Sequence, residues 1–96
     1  MESKKKFPSD EKFGLVSQMR RAAVSVNSNL MEGAARNSNA EFKKFICIAR
    51  GSVSELIYQI MLTDRLGFVD KEETDLLLAD ARKIARMLNG LLSKIT

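Results

Sequence analysis

The lysines and arginines in the first half of this 96-residue chain are the side chains best suited to chemistry, and what they offer is phosphate neutralisation. Residues 1–50 carry ten Lys and Arg against five acids, whereas residues 51–96 carry six against seven. Lys4, Lys5 and Lys6 fall in a segment, 1–8, that we expect to be a flexible basic arm. Arg21, Arg36, Lys43, Lys44 and Arg50 follow on segments expected to be ordered, and they are the candidate nucleic-acid-binding residues. A modest basic excess also occurs on ordinary solvated surfaces, so charge alone leaves both readings open.

Other chemistries are poorly served. Histidine is absent, which removes the usual imidazole base, most catalytic triads and the Glu-x-x-His ligand pairs of carboxylate di-iron bundles. Cys47 is the only cysteine; it permits no intrachain disulfide or thiolate cage and reads as a small, half-buried hydrophobe. No glycine spacing resembles a phosphate loop, and no carboxylates cluster at a useful spacing. We therefore expect no enzyme, no metal, no cofactor and no small-molecule substrate.

The elements that must carry these residues are helices. Val16, Met19, Ala23, Val26 and Leu30 alternate steps of three and four, as do Leu77, Ala81, Ile84, Leu88, Leu91 and Ile95. Between them Phe42, Phe45, Ala49, Val53, Leu56 and Ile60 mark a third helix, apolar almost all round at Leu56–Leu62. Ser38 with Glu41, and Asp70 with Glu73, fit capping boxes, while Gly67 suits a left-handed turn after Leu66. These signals place helices at about 9–36, 39–66 and 71–95, each about 40 Å long at ~1.5 Å per residue. One compact domain over residues 1–96 accommodates them, since a chain with 45% apolar content has room for a single modest core. No apolar run near a membrane span is evident, and the start lacks a leader-like apolar segment, so no membrane and a cytoplasmic location are expected.

Short connections make neighbours antiparallel, and the apolar stripes then fall into layers. Val16 meets Ile60 and Leu77; Met19 meets Leu56 and Ala81; Ala23 meets Val53 and Ile84; Val26 meets Ala49 and Leu88; Leu30 meets Phe45, Ile46 and Leu91. The same register sets Arg20 opposite Glu55, as a partly buried structural ion pair, and Glu32 opposite Lys43; Glu32 and Arg36 also have helical i, i+4 spacing. Ala22, Ala23, Gly33, Ala34, Ala35 and Gly51 read as close-packing positions, and Asn27 and Asn29 mark either a kink or a contact. The fold class is thus an all-α, antiparallel bundle of three long helices. Ile48, Tyr58, Leu62 and Leu66 lie off the intrachain stripe and are the candidate oligomer interface.

The run RRAAVSVNSNLMEGAARNSNAEF, continued by FICIARGSVSELIYQIMLTDRLGFV, closely resembles the bacterial four-helix-bundle family of 23S ribosomal RNA intervening-sequence proteins. The shared pattern is RRAAVS, SNxxEG, R-x-S with EF, GSxxEL and LG, and it extends over about Lys5 to Leu92. The resemblance implies a homo-oligomeric ring, characteristically a pentamer, and a link with ribosomal RNA. Family members commonly carry Pro where this chain has Asn27, and usually have another helix of about twenty residues ahead of KKFP. The first helix of the four is therefore expected to be shortened or absent here, leaving an apolar groove for another chain to fill. Two functions remain open: an oligomer that binds structured RNA, or DNA, through a basic face, and a structural or protein-interaction scaffold with no nucleic-acid role.

Overall fold

The computed structural model describes residues 8–95, which form three helices and, among the described residues, no strand: α1 (Pro8–Ala34), α2 (Asn39–Arg65) and α3 (Lys71–Lys94). These spans lie within two residues of the expected ones, except that α1 begins inside the expected arm, at Pro8. Lys4, Lys5 and Lys6 lie outside the described residues.

Local chemistry fixes the ends. Ser38 Oγ accepts from the Glu41 N–H at 3.1 Å, and Asp70 Oδ1 accepts from the Glu73 N–H at 2.8 Å, each satisfying a helix donor with no intrahelical partner. At the end of α2, Gly67 takes φ +77°, which a side chain would disfavour. Its N–H donates to Asp64 O at 2.9 Å and that of Phe68 to Thr63 O at 3.1 Å, the two bonds of a Schellman motif. Two buried threonines lock the same corner. Thr63 Oγ1 donates to Gln59 O at 2.7 Å, and Thr74 Oγ1 bridges from α3 to Asp64 Oδ1 at 3.0 Å.

Packing centres on α2. Both neighbours lie against it, yet among the described residues no Cα of α1 comes within 8 Å of one in α3. The chain is a plate of 56 × 26 × 13 Å rather than a closed bundle. The reason lies in how α2 divides its circumference. It meets α1 through Phe45, Ser52 and Gln59 and α3 through Arg50 and Asp64, two strips roughly 140° apart at ~100° per residue. Strips that far apart hold the outer helices too widely for contact.

The expected layers are accordingly half closed. Val26, Ile46, Ala49, Val53 and Leu88 join all three helices in one buried cluster, with Leu30, Phe42 and Leu91 packed around it. The other layers do gather, but as the walls and floor of an open groove of about 310 Å³: Val16, Met19 and Ala23 on α1, Leu56 and Ile60 below, and Leu77, Ala81 and Ile84 on α3. Ala23 and Ile84 are exposed there. Phe13 is 72% exposed, and Cys47 is exposed rather than half-buried.

A second expectation is corrected as well. α2 contains an 18-residue window of mean hydropathy 1.3, long and apolar enough by length and composition to cross a membrane, although only 28% of that window is buried within the chain. A middle helix must be apolar toward two neighbours, and this one is apolar beyond them.

Gly33 sets the closest approach. A Cβ there would come within 2.7 Å of Phe45 Cβ, whereas Gly51 meets nothing within 4 Å and is no close-packing position. Gly33→Ala should therefore cost about 1–3 kcal/mol by overpacking, and Gly51→Ala should be neutral or stabilise by up to about 1 kcal/mol through helix propensity. Urea unfolding at constant m measures both; a Gly33→Ala midpoint equal to wild type would contradict the close approach.

Candidate nucleic-acid interface

The register of α1 on α2 decides which charges meet. Ser25 Oγ and Ser52 Oγ lie 2.9 Å apart, and Gln59 Nε2 donates to Gln18 Oε1 at 3.4 Å. This pairing is displaced by two residues from the expected one, so Glu55 lies opposite Ala22. Arg20 and Glu55 consequently form no ion pair within 4 Å. Glu55 Oε2 instead takes a long contact of 3.5 Å from Gln59 Nε2 and shares a cleft with Arg21, while Arg20 lines the apolar groove across from Asp80. A single helical step of ~100° separates the two arginines onto different sides of the plate.

The remaining basic candidates sit toward the α1–α2 turn. Arg36 Nη2 pairs with Glu32 Oε2, and its guanidinium lies 5.1 Å from the centroid of the Phe45 ring. The carboxylate and the ring face together hold it in one place. Glu32 thus pairs with the turn that follows its own helix and not with Lys43. Lys43 and Lys44 are exposed in the first turns of α2, and Arg50 Nη1 donates across to Asn89 Oδ1 on α3 at 3.0 Å. Lys43, Lys44 and Arg50 are each turned by about a quarter turn or more from the midline of the groove floor, and Arg21 by nearly half a turn from the groove side of α1. The arrangement gathers cations on the broad side away from the groove.

Along that side the surface changes character. Ile48 is 45% exposed, Tyr58 64% and Leu66 48%. Tyr58 and Leu62 line a hollow of about 510 Å³ with Met61, Arg65, Lys71 and Leu78 near the α2–α3 turn. Lys43, Lys44 and Arg50 thus lie in the first half of α2 with Ile48 among them, and Tyr58, Leu62 and Leu66 in the second beside Arg65.

Sequence reasoning passed over Gln18, Ser52, Gln59 and Asn89, which fix the register or orient Arg50. One signal was present, since Gln59 is the lone amide within the apolar run Leu56–Leu62. Of the two asparagines, Asn29 proves to be a contact: its Nδ2 donates to Ser25 O at 2.8 Å and Ser25 Oγ at 3.1 Å. Among the described residues no three His, Cys, Asp or Glu side chains are grouped to hold a metal.

The corrected register gives a direct check. A double-mutant cycle on Arg20→Ala and Glu55→Ala should return a coupling energy indistinguishable from zero, because the side chains do not meet. Coupling of about 0.5 kcal/mol or more would restore the pair.

No curated protein of similar sequence is found. The family model described as 23S rRNA-intervening sequence protein matches residues 1–90, nearly the whole chain, with all of α1 and α2 and most of α3. This helical plate therefore belongs to the 23S rRNA-intervening sequence protein family.

Proposed function

We propose that the chain is a non-enzymatic, self-associating helical protein that binds structured RNA through phosphate contacts of Arg21, Arg36, Lys43, Lys44 and Arg50. The observation that carries this reading is that Arg21, Lys43 and Lys44 are exposed and turned away from the apolar groove. The family's name supports ribosomal RNA as the ligand, and a cytoplasmic location goes with it. Phosphate contacts need no base-reading geometry, only cations free to approach the backbone.

Self-association follows from uncovered apolar surface. The groove and the Ile48, Tyr58, Leu62 and Leu66 strip lie on opposite sides of α2, so a contact that seats one on the other joins unlike surfaces. Such head-to-tail contacts close into rings when the rotation permits, and the pentamer implied by the family resemblance is one closed solution. The apolar window of α2 serves the same end, as surface for another copy. Repetition of the cationic end around a ring would combine weak phosphate contacts through effective concentration.

A scaffold without RNA is the second reading. It is favoured by the engagement of Arg36 with Glu32 and Phe45, and of Arg50 with Asn89, which hold two of the five cations within the chain.

Two measurements separate the readings. RNA affinity should fall with salt at a slope of roughly −0.7 to −0.9 per neutralised phosphate, and reversing Lys43 and Lys44 to Glu should weaken binding for every RNA while leaving the oligomer intact. An oligomer that binds no RNA even at low salt selects the scaffold. Leu62→Glu with Leu66→Glu should give smaller species in sedimentation, since the contact would have to bury charge; an unchanged mass would place the interface elsewhere.

A further inference from the structure

The polar cleft along the α1–α2 seam shares only Arg21 with the phosphate contacts proposed above, and it has the makings of a site of its own. Gln18, Arg21, Ser25, Ser52, Glu55 and Gln59 surround about 360 Å³. Gln59 is only 5% exposed, and its Oε1 is buried with no hydrogen-bond partner. Its Nε2 is shared between Gln18 Oε1 at 3.4 Å and Glu55 Oε2 at 3.5 Å, both long. Among the described residues Arg21 has no hydrogen-bond or ion-pair partner, and Glu55 has no ion pair. The serine hydroxyls are satisfied by each other and by Asn29, so they form a wall.

A carboxylate and a buried carbonyl that only accept thus stand beside a guanidinium that only donates. A ligand that satisfies all three must present two adjacent donors next to an acceptor, on a flat body slim enough for a seam between helices. Among the bases, only guanine shows that edge: N1–H and the N2 amine donate side by side, with O6 accepting next to them. Adenine and cytosine set a single amine beside an acceptor, and uracil sets one N–H between two carbonyls. Unpaired bases are the part of a structured RNA that proteins read in this way, often against an arginine plane.

We infer that the cleft reads one unpaired guanine, a proposal that rests on the RNA-binding reading above. The Glu55 carboxylate accepts from N1–H and N2–H, Gln59 Oε1 accepts the second N2 hydrogen, and Arg21 donates to O6. Phosphate contacts by the other cations then position the RNA, and this one base supplies a preference.

The test uses the full chain with RNA hairpins that differ at one loop base, guanine or inosine, which lacks only the N2 amine. The guanine hairpin should bind about five- to a hundredfold tighter, the range of a good bidentate pair. Glu55→Gln should erase most of that difference, because the amide can accept at only one of its two positions and so costs the guanine hairpin more than the inosine hairpin, with the thermal midpoint confirming the fold. Equal affinity for the two hairpins, with salt-dependent binding retained, overturns the guanine cleft and leaves the cationic surface standing. If neither hairpin binds, the RNA reading fails and free nucleotides decide the cleft. A larger shift of the Gln59 side-chain amide resonance with guanosine monophosphate than with inosine monophosphate supports it; equal shifts, or the same shift with a free amino acid, overturn it.

Discussion

Everything in this chain hangs on α2 being the one helix that both others touch. Because its contact strips for α1 and α3 are set widely around its axis, no closed three-helix core can form, and the chain settles as a plate one helix thick. Burial is concentrated where Val26, Ile46, Ala49, Val53 and Leu88 converge. Gly33 permits that convergence by letting α1 ride directly on Phe42 and Phe45. At the other end the same helices spread around a floor of Leu56 and Ile60, and apolar side chains that a closed bundle would bury face outward.

This geometry gives the two broad sides different chemistry. A groove walled by Val16, Met19, Leu77 and Ile84 can gain stability only by excluding water against another apolar surface. The other side carries its cations toward the α1–α2 turn, with Arg36 held over Phe45 and Arg50 tied to Asn89. Cations held in this way lose less side-chain entropy on meeting a phosphate, although the carboxylate beside Arg36 must then compete with the phosphate for it.

Much of the fold was legible in the sequence because local signals and long-range pattern agreed. Ser38, Asp70 and Gly67 ended helices where their chemistry required, and the three- and four-residue spacing of apolar side chains named the walls of the groove correctly. Closure of the bundle was not legible. Periodicity says which face of a helix is apolar but not the angle at which two neighbours share it, and that angle separates a plate from a triangle. The register of α1 also escaped by two residues, since amides and serines set it: Gln18 with Gln59 and Ser25 with Ser52 carry no periodic signal. That slip moved Glu55 from Arg20 to Arg21, which is how a supposed structural ion pair became a cleft. The basic candidates were read from charge type; the i, i+4 spacing did give Arg36 its partner Glu32, but nothing in the sequence tied Arg50 to Asn89.

Whether another copy covers the groove is the question on which the account turns, and thiol labelling answers it most directly. With Cys47 replaced by Ser, a single cysteine at Ile84, which is 36% exposed in the isolated chain, reports on the groove; one at the exposed Lys83 serves as reference. With another copy over the groove, the cysteine at position 84 is labelled far more slowly than the reference at high protein concentration and approaches its rate on dilution. Labelling at the reference rate at every concentration would contradict it.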